Sequence, residues 1–161
     1  MKLKNIIDED FINYKKPSMM LAMCYCDWKC LTEKNLDLSI CQNSELAHQD
    51  NIEVSTISIV SRYLHNPITK AIVIAGLEPF LQIDEVIDFI RKLRIIAMND
   101  DMVVIYTGYY PEEIQERIYQ LKQYKNIIVK FGRYIPDNKP HYDKVLGVKL
   151  ASDNQYAVKI S

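Results

Sequence analysis

Apolar runs alternate with amphipathic stretches along most of the chain. Ser18 to Met23 is a short apolar run after Pro17 and predicts a buried strand. Lys70 to Ala75 (Lys-Ala-Ile-Val-Ile-Ala) predicts the clearest one, β-branched and stopped by Gly76 and Pro79. Met102 to Tyr106 and Asn126 to Phe131 read the same way, ended by Thr107-Gly108 and by Gly132. Helical patterns lie between them. Glu53 to Leu64 carries Val54, Ile57, Ile59, Val60 and Leu64 at near-helical spacing. Asp84 to Ala97 puts Val86, Ile87, Ile90, Leu93 and Ala97 on one face, behind acidic residues that favour a helix N-terminus. Pro111, Glu112 and Glu113 open a third helix, with Ile114, Ile118 and Leu121 in register. Met1 to Asp10 is mixed and charged. Pro136 to Ser161 is less regular, with a short terminal strand expected at Tyr156 to Ile160.

Uninterrupted apolar strands between amphipathic helices imply an α/β fold, a mostly parallel sheet of alternating βα units covered by helices. No repeat, low-complexity tract or linker divides residues 1–161, so a single domain is expected. In such sheets ligands bind beyond the carboxyl ends of the strands. Gly76, Gly108 and Gly132 all fall there. Any one of them is accounted for by a strand-to-helix turn. Three on the edge that also carries the cysteines point to a shared site.

At 161 residues, 48% hydrophobic and 25% charged, the chain is long enough to bury a core and too apolar for wholesale disorder. A formal net charge of -1 lacks the basic footprint of a nucleic-acid binder. The longest apolar stretches, such as Ala71 to Leu77, are far short of the roughly 20 residues that span a bilayer. Met1 to Asp10 has no apolar core followed by small residues, so a reducing cytoplasmic location is expected. In that setting clustered cysteines point to metal or redox chemistry more than to disulfides.

All four cysteines are clustered: Cys24-Tyr25-Cys26-Asp27-Trp28-Lys29-Cys30, then residues 31–40, then Cys41-Gln42-Asn43. A free cysteine commonly packs as a small hydrophobe. Four so close together, at a strand end and among charged loop residues, argue for ligands. Thiolates select zinc or iron–sulfur centres. A structural zinc site needs four ligands, and the Cys24-x-Cys26 pair is tighter than usual zinc spacing. A cluster with three thiolates leaves one iron open, whereas an electron-transfer cluster normally has four. Both metal readings stand at this point. A dithiol pair of Cys26 and Cys30 lacks the Cys-x2-Cys motif. His48, His65 and His141 are scattered, and Lys122, Lys125 and Lys130 are expected on solvated faces.

Cys26-x3-Cys30 resembles the start of the radical S-adenosylmethionine signature, Cys-x3-Cys-x2-Cys. Cys41-Gln42-Asn43 is similar to the third cysteine and following Gln-Asn of anaerobic ribonucleoside-triphosphate reductase activating proteins. Gly76-Leu77-Glu78-Pro79 resembles the superfamily's Gly-Gly-Glu-Pro, and Tyr106-Thr107-Gly108-Tyr109 the activating proteins' Tyr-Thr-Gly-Tyr. Gly132-Arg133-Tyr134 and Ser152-Asp153-Asn154-Gln155 resemble their later Asp-Gly-Arg-Phe and Gly-Ser-x-Asn-Gln segments. The departures are specific. Residues 31–40 stand where the signature has two residues, and Leu77 replaces a glycine. Val129-Lys130-Phe131 lacks the aspartate before Gly-Arg, and Cys24 has no counterpart.

The resemblance implies a partial-barrel fold and a 4Fe–4S cluster ligated by Cys26, Cys30 and Cys41, with S-adenosylmethionine on the fourth iron. It implies reductive cleavage of the sulfonium and hydrogen abstraction from a glycine of a glycyl-radical enzyme. An electron donor such as flavodoxin or ferredoxin is implied as well. Ile40 would pack on adenine. Gly76, Leu77 and Glu78 would approach the methionine amino group, Pro79 would fix the turn, and Thr107 and Gly108 would line the same rim. The alternative is a non-catalytic protein on the same scaffold, binding zinc or a cluster for structure or interaction. The lengthened cysteine spacing and the lost glycine motivate it.

Overall fold

The computed structural model describes residues 1–161. Its first element is a strand that the hydrophobic pattern does not predict. β1 (Lys2–Asp10) pairs antiparallel with β2 (Ser18–Met23). Two register irregularities, between Leu3 and Asn5 and between Ile7 and Asp10, break the period-two alternation. Leu3, Ile6 and Asp10 are therefore buried at uneven intervals. A two-residue strand, β3 (Ile52–Glu53), adds to the outer side of β1.

Beyond β2 the sheet is parallel. β4 (Ala71–Gly76), β5 (Met102–Tyr106) and β6 (Ile127–Phe131) follow in turn. After the hairpin of β7 (His141–Asp143) and β8 (Val148–Leu150), β9 (Tyr156–Lys159) pairs antiparallel with β6. The seven-stranded order is β3-β1-β2-β4-β5-β6-β9, with no closure into a barrel. The four central strands are the apolar runs of the sequence. They are apolar on successive residues because both faces are covered. Met19, Leu21, Ile72, Ile74, Val103, Ile105, Ile127 and Val129 share one core with Phe89 and Ile90 from the helical layer. Val73, Val104 and Ile128 face the other way, onto Tyr14 of the β1–β2 loop and Leu146 and Leu150 of the β7–β8 hairpin.

Three helices cover the first face: α3 (Thr56–Leu64), α4 (Ile83–Arg91) and α5 (Gln115–Leu121), numbered after two short helices, α1 (Lys29–Thr32) and α2 (Ser44–His48). Each predicted helix is shorter than its pattern. α3 starts at Thr56 because the Ser55 hydroxyl accepts from the Ser58 amide, leaving Glu53 to β3. α4 passes at Lys92–Ile96 into one wider π-helical turn, in which the Ala97 amide reaches the Lys92 carbonyl at 3.0 Å. Pro111 opens a 3-10 turn, and α5 begins only at Gln115.

Candidate metal centre

The cysteine segment leaves the sheet at the carboxyl end of β2. Cys24 is still part of the core: its amide donates to Gln82 Oε1 at 3.2 Å, and its thiol lies 3.4 Å from the same oxygen. Two residues on, the chain turns. Trp28 has φ +59°, and its amide donates to Cys26 Sγ at 3.3 Å. This turn starts α1, which carries Cys30.

Residues 31–40 loop out and return. Leu31 is buried and anchors the departing end. Asp37 caps a 3-10 turn at Leu38–Ile40 by accepting from the Ser39 amide at 2.9 Å. Cys41 follows directly, and the Asn43 amide donates to its sulfur at 3.4 Å. The Asn43 side-chain amide then donates to the Gly76 carbonyl at 2.6 Å, joining this segment to the end of β4.

Cys26, Cys30 and Cys41 consequently line one cleft of about 310 Å³. Gly76, Leu77 and Glu78 from β4 and its exit, and Thr107 and Gly108 after β5, line it too. Cys24 does not. None of the four cysteines is in a disulfide. Burial pushes the Cys26 thiol up to about 12, and burial with the nearby Cys41 raises Cys30. Such thiols are neutral unless a bound cation draws off the proton. No three His, Cys, Asp or Glu side chains are gathered closely enough to hold a single metal ion.

Glu78 is buried and ties two strand ends together. Its Oε1 accepts from the Phe80 amide at 3.0 Å and the Thr107 hydroxyl at 2.8 Å; its Oε2 accepts from the Gly108 amide at 2.9 Å. Desolvation nevertheless raises its pKa, as expected when only neutral donors offset the loss of water. Lys130 on β6 enters the same cleft, and this corrects the expectation that it lies on a solvated face. Only 6% of it is exposed, and Nζ donates to the Gly132 carbonyl at 2.9 Å. Burial lowers its pKa to about 8. A lone lysine in an apolar run is the one sequence signal that marks it.

The donor set fits an iron–sulfur cluster. Three reduced thiols from two segments face one cleft, and the Trp28 and Asn43 amides already donate to two of the sulfurs, the contacts that tune a ligating thiolate. A family model described as a 4Fe-4S single cluster domain matches residues 19–155. The chain belongs to that family. No curated protein matches it. The match spans both cysteine segments and every strand of the parallel centre, so the protein has a 4Fe–4S cluster-binding domain.

The cluster domain also secures its cysteine loop from the opposite rim. Arg133 holds Glu113 through two bonds, at 2.7 and 2.8 Å, and reaches Glu33 in the loop at 2.7 Å. Lys29 of α1 pairs with Glu113 at 3.3 Å, and the Tyr109 hydroxyl donates to Asp27 at 2.6 Å. Arg133 holds the Glu113 carboxyl down to about 2. Two residues expected at the site, Ile40 and Pro79, do not line the cleft. Ile40 is 42% exposed and outside the cleft lining, and Pro79 is buried as the first residue of a 3-10 turn. No helix of the cluster domain is long and apolar enough to cross a membrane.

Proposed function

We propose that this cluster domain is a radical S-adenosylmethionine protein. Cys26, Cys30 and Cys41 would hold the 4Fe–4S cluster, and a site on it left without a protein ligand would take S-adenosylmethionine. The observation that supports this reading is the meeting of those three thiols with the Gly76–Glu78 and Thr107–Gly108 rims in one cleft. When bound and reduced, the cluster supplies the electron that opens the sulfonium carbon–sulfur bond. The chain supplies position. Gly76, Leu77 and Gly108 shape the cleft, and Glu78 fixes the β4 and β5 exits relative to each other. The buried wall limits water around the ligand.

The resemblance of Tyr106-Thr107-Gly108-Tyr109 and Cys41-Gln42-Asn43 to activating proteins extends the proposal to the target. On that basis the protein generates a radical on a glycine of a partner glycyl-radical enzyme in the cytoplasm, drawing electrons from a flavodoxin or ferredoxin. One observation favours the second reading, a non-catalytic cluster protein: the Leu77 side chain occupies cleft wall where the superfamily has glycine. The separating experiment is anaerobic. The protein is reconstituted with iron and sulfide, reduced, mixed with S-adenosylmethionine and assayed for 5′-deoxyadenosine. Formation of 5′-deoxyadenosine supports the radical reading. A stable cluster that never cleaves S-adenosylmethionine sinks it and leaves the non-catalytic one.

A further inference from the structure

Three charged residues line the cleft, Glu78, Lys130 and Lys149. Glu78 and Lys130 are both buried; Glu78 attracts Lys130 through space without a direct ion pair, and of the two Lys130 alone keeps unused hydrogen-bond donors. Glu78 has both carboxylate oxygens engaged by the amides of Phe80 and Gly108 and the hydroxyl of Thr107. Lys149, on β8, is exposed. Lys130 is 6% exposed and belongs to none of the ion pairs of the protein. An ammonium has three donors. One goes to the Gly132 carbonyl, and the Tyr106 ring, with its centroid 5.9 Å from Nζ, adds a weak cation–π contact. Two donors remain without a protein acceptor.

A buried charge is costly unless it is paired and hydrogen-bonded. Replacing Lys130 by an apolar residue would remove that cost, since its neighbours on β6, Ile128 and Val129, are already apolar. The cation faces the cleft that the cysteines and the β4 and β5 exits also line. Lys149 lines the same cleft from the hairpin, so a second positive charge stands at its rim.

We propose that the cleft binds a small organic acid, bearing a carboxylate or phosphate group that takes the two free donors of Lys130. On the proposed function, the carboxylate of S-adenosylmethionine is committed to iron, so the acid is a separate molecule. That last step alone rests on the proposed function. The two unused donors of Lys130 do not.

The test is anaerobic scanning calorimetry on the full chain, both cluster-loaded and cluster-free, with inorganic phosphate or malonate against sodium chloride of equal ionic strength. A ligand at about tenfold its dissociation constant raises Tm by about 3–6 °C for a chain of this size. That rise is expected with phosphate or malonate, is lost in Lys130→Met and Lys130→Gln, and is kept in Lys130→Arg. An equal rise in the neutral variants, or none beyond chloride, overturns the proposal. A Lys130-dependent rise with S-adenosylmethionine alone also overturns it. Should the cluster fail to assemble, the cluster-free arm still decides the question.

Discussion

The side-chain amide of Asn43 donates to the main-chain carbonyl of Gly76 at 2.6 Å. This bond reconciles an extended cysteine spacing with a shared site. The excursion over residues 31–40 ends where Asn43 meets the β4 exit, and Cys41 is brought back to the cleft with it. Asn43→Ala removes the bond and leaves the Gly76 carbonyl without this partner, at a cost of about 1 kcal/mol in the cluster-free chain. Groups that orient a ligand commonly weigh about 10-fold or more on metal retention. Iron release to a chelator should therefore quicken by about that factor. An unchanged release rate would show that Cys41 is held by other contacts.

The cysteines divide by environment. Cys24 packs on Gln82 away from the cleft, so Cys24→Ala should keep full iron content and lose about 1 kcal/mol of stability. Cys30→Ala should fail to assemble the cluster. Iron and sulfide analysis after reconstitution separates the two outcomes.

Glu113 gives a pH signature to the rim that holds the loop. Its carboxyl is held down to about 2, first by the hydrogen bonds from Arg133, so its contribution is complete above its ordinary value near 4.5. It is lost as pH falls from there toward 2. With the Glu113 side chain 24% exposed, the difference between wild type and Glu113→Gln should be about 1–3 kcal/mol at pH 7. Urea unfolding from pH 7 to 3 should show that difference shrinking only below about 4.5.

Lys130 has the opposite sign. Burial lowers its pKa from 10.5 to about 8, so the unfolded chain holds more protons between those values. Stability contributed through this residue therefore rises with pH across that window, by about 3 kcal/mol in the cluster-free chain. Lys130→Met should abolish the rise. The comparison must be made between the two proteins, because the buried Tyr106 and Tyr109 hydroxyls titrate upward-shifted above it and act the other way.

The parallel centre was legible in the sequence because strands buried on both faces leave runs such as Ile72-Val73-Ile74 and Val103-Val104-Ile105. β1 was not, since two register irregularities spread its buried positions unevenly among charged residues. At the site, cysteine spacing and the rim motifs pointed to one cleft, and Cys26, Cys30, Cys41, Glu78 and Thr107 all line it. Ile40 was legible only by its place before Cys41, and a capped 3-10 turn leaves it 42% exposed. Lys130 reads as exposed in the sequence because a charge normally marks solvent. Here it sits on an inner strand between Tyr106 and Ala157, so the pairing of β6 with both neighbours buries it.

The central claim is that Cys26, Cys30 and Cys41 hold one cluster with an iron open to S-adenosylmethionine. Electron paramagnetic resonance of the reduced, reconstituted protein tests it most directly, with and without S-adenosylmethionine. The account predicts about four irons and four sulfides per chain, a signal whose shape changes when S-adenosylmethionine is added, and loss of both in Cys41→Ala. A full cluster in Cys41→Ala, or a wild-type signal that S-adenosylmethionine leaves unmoved, would contradict it.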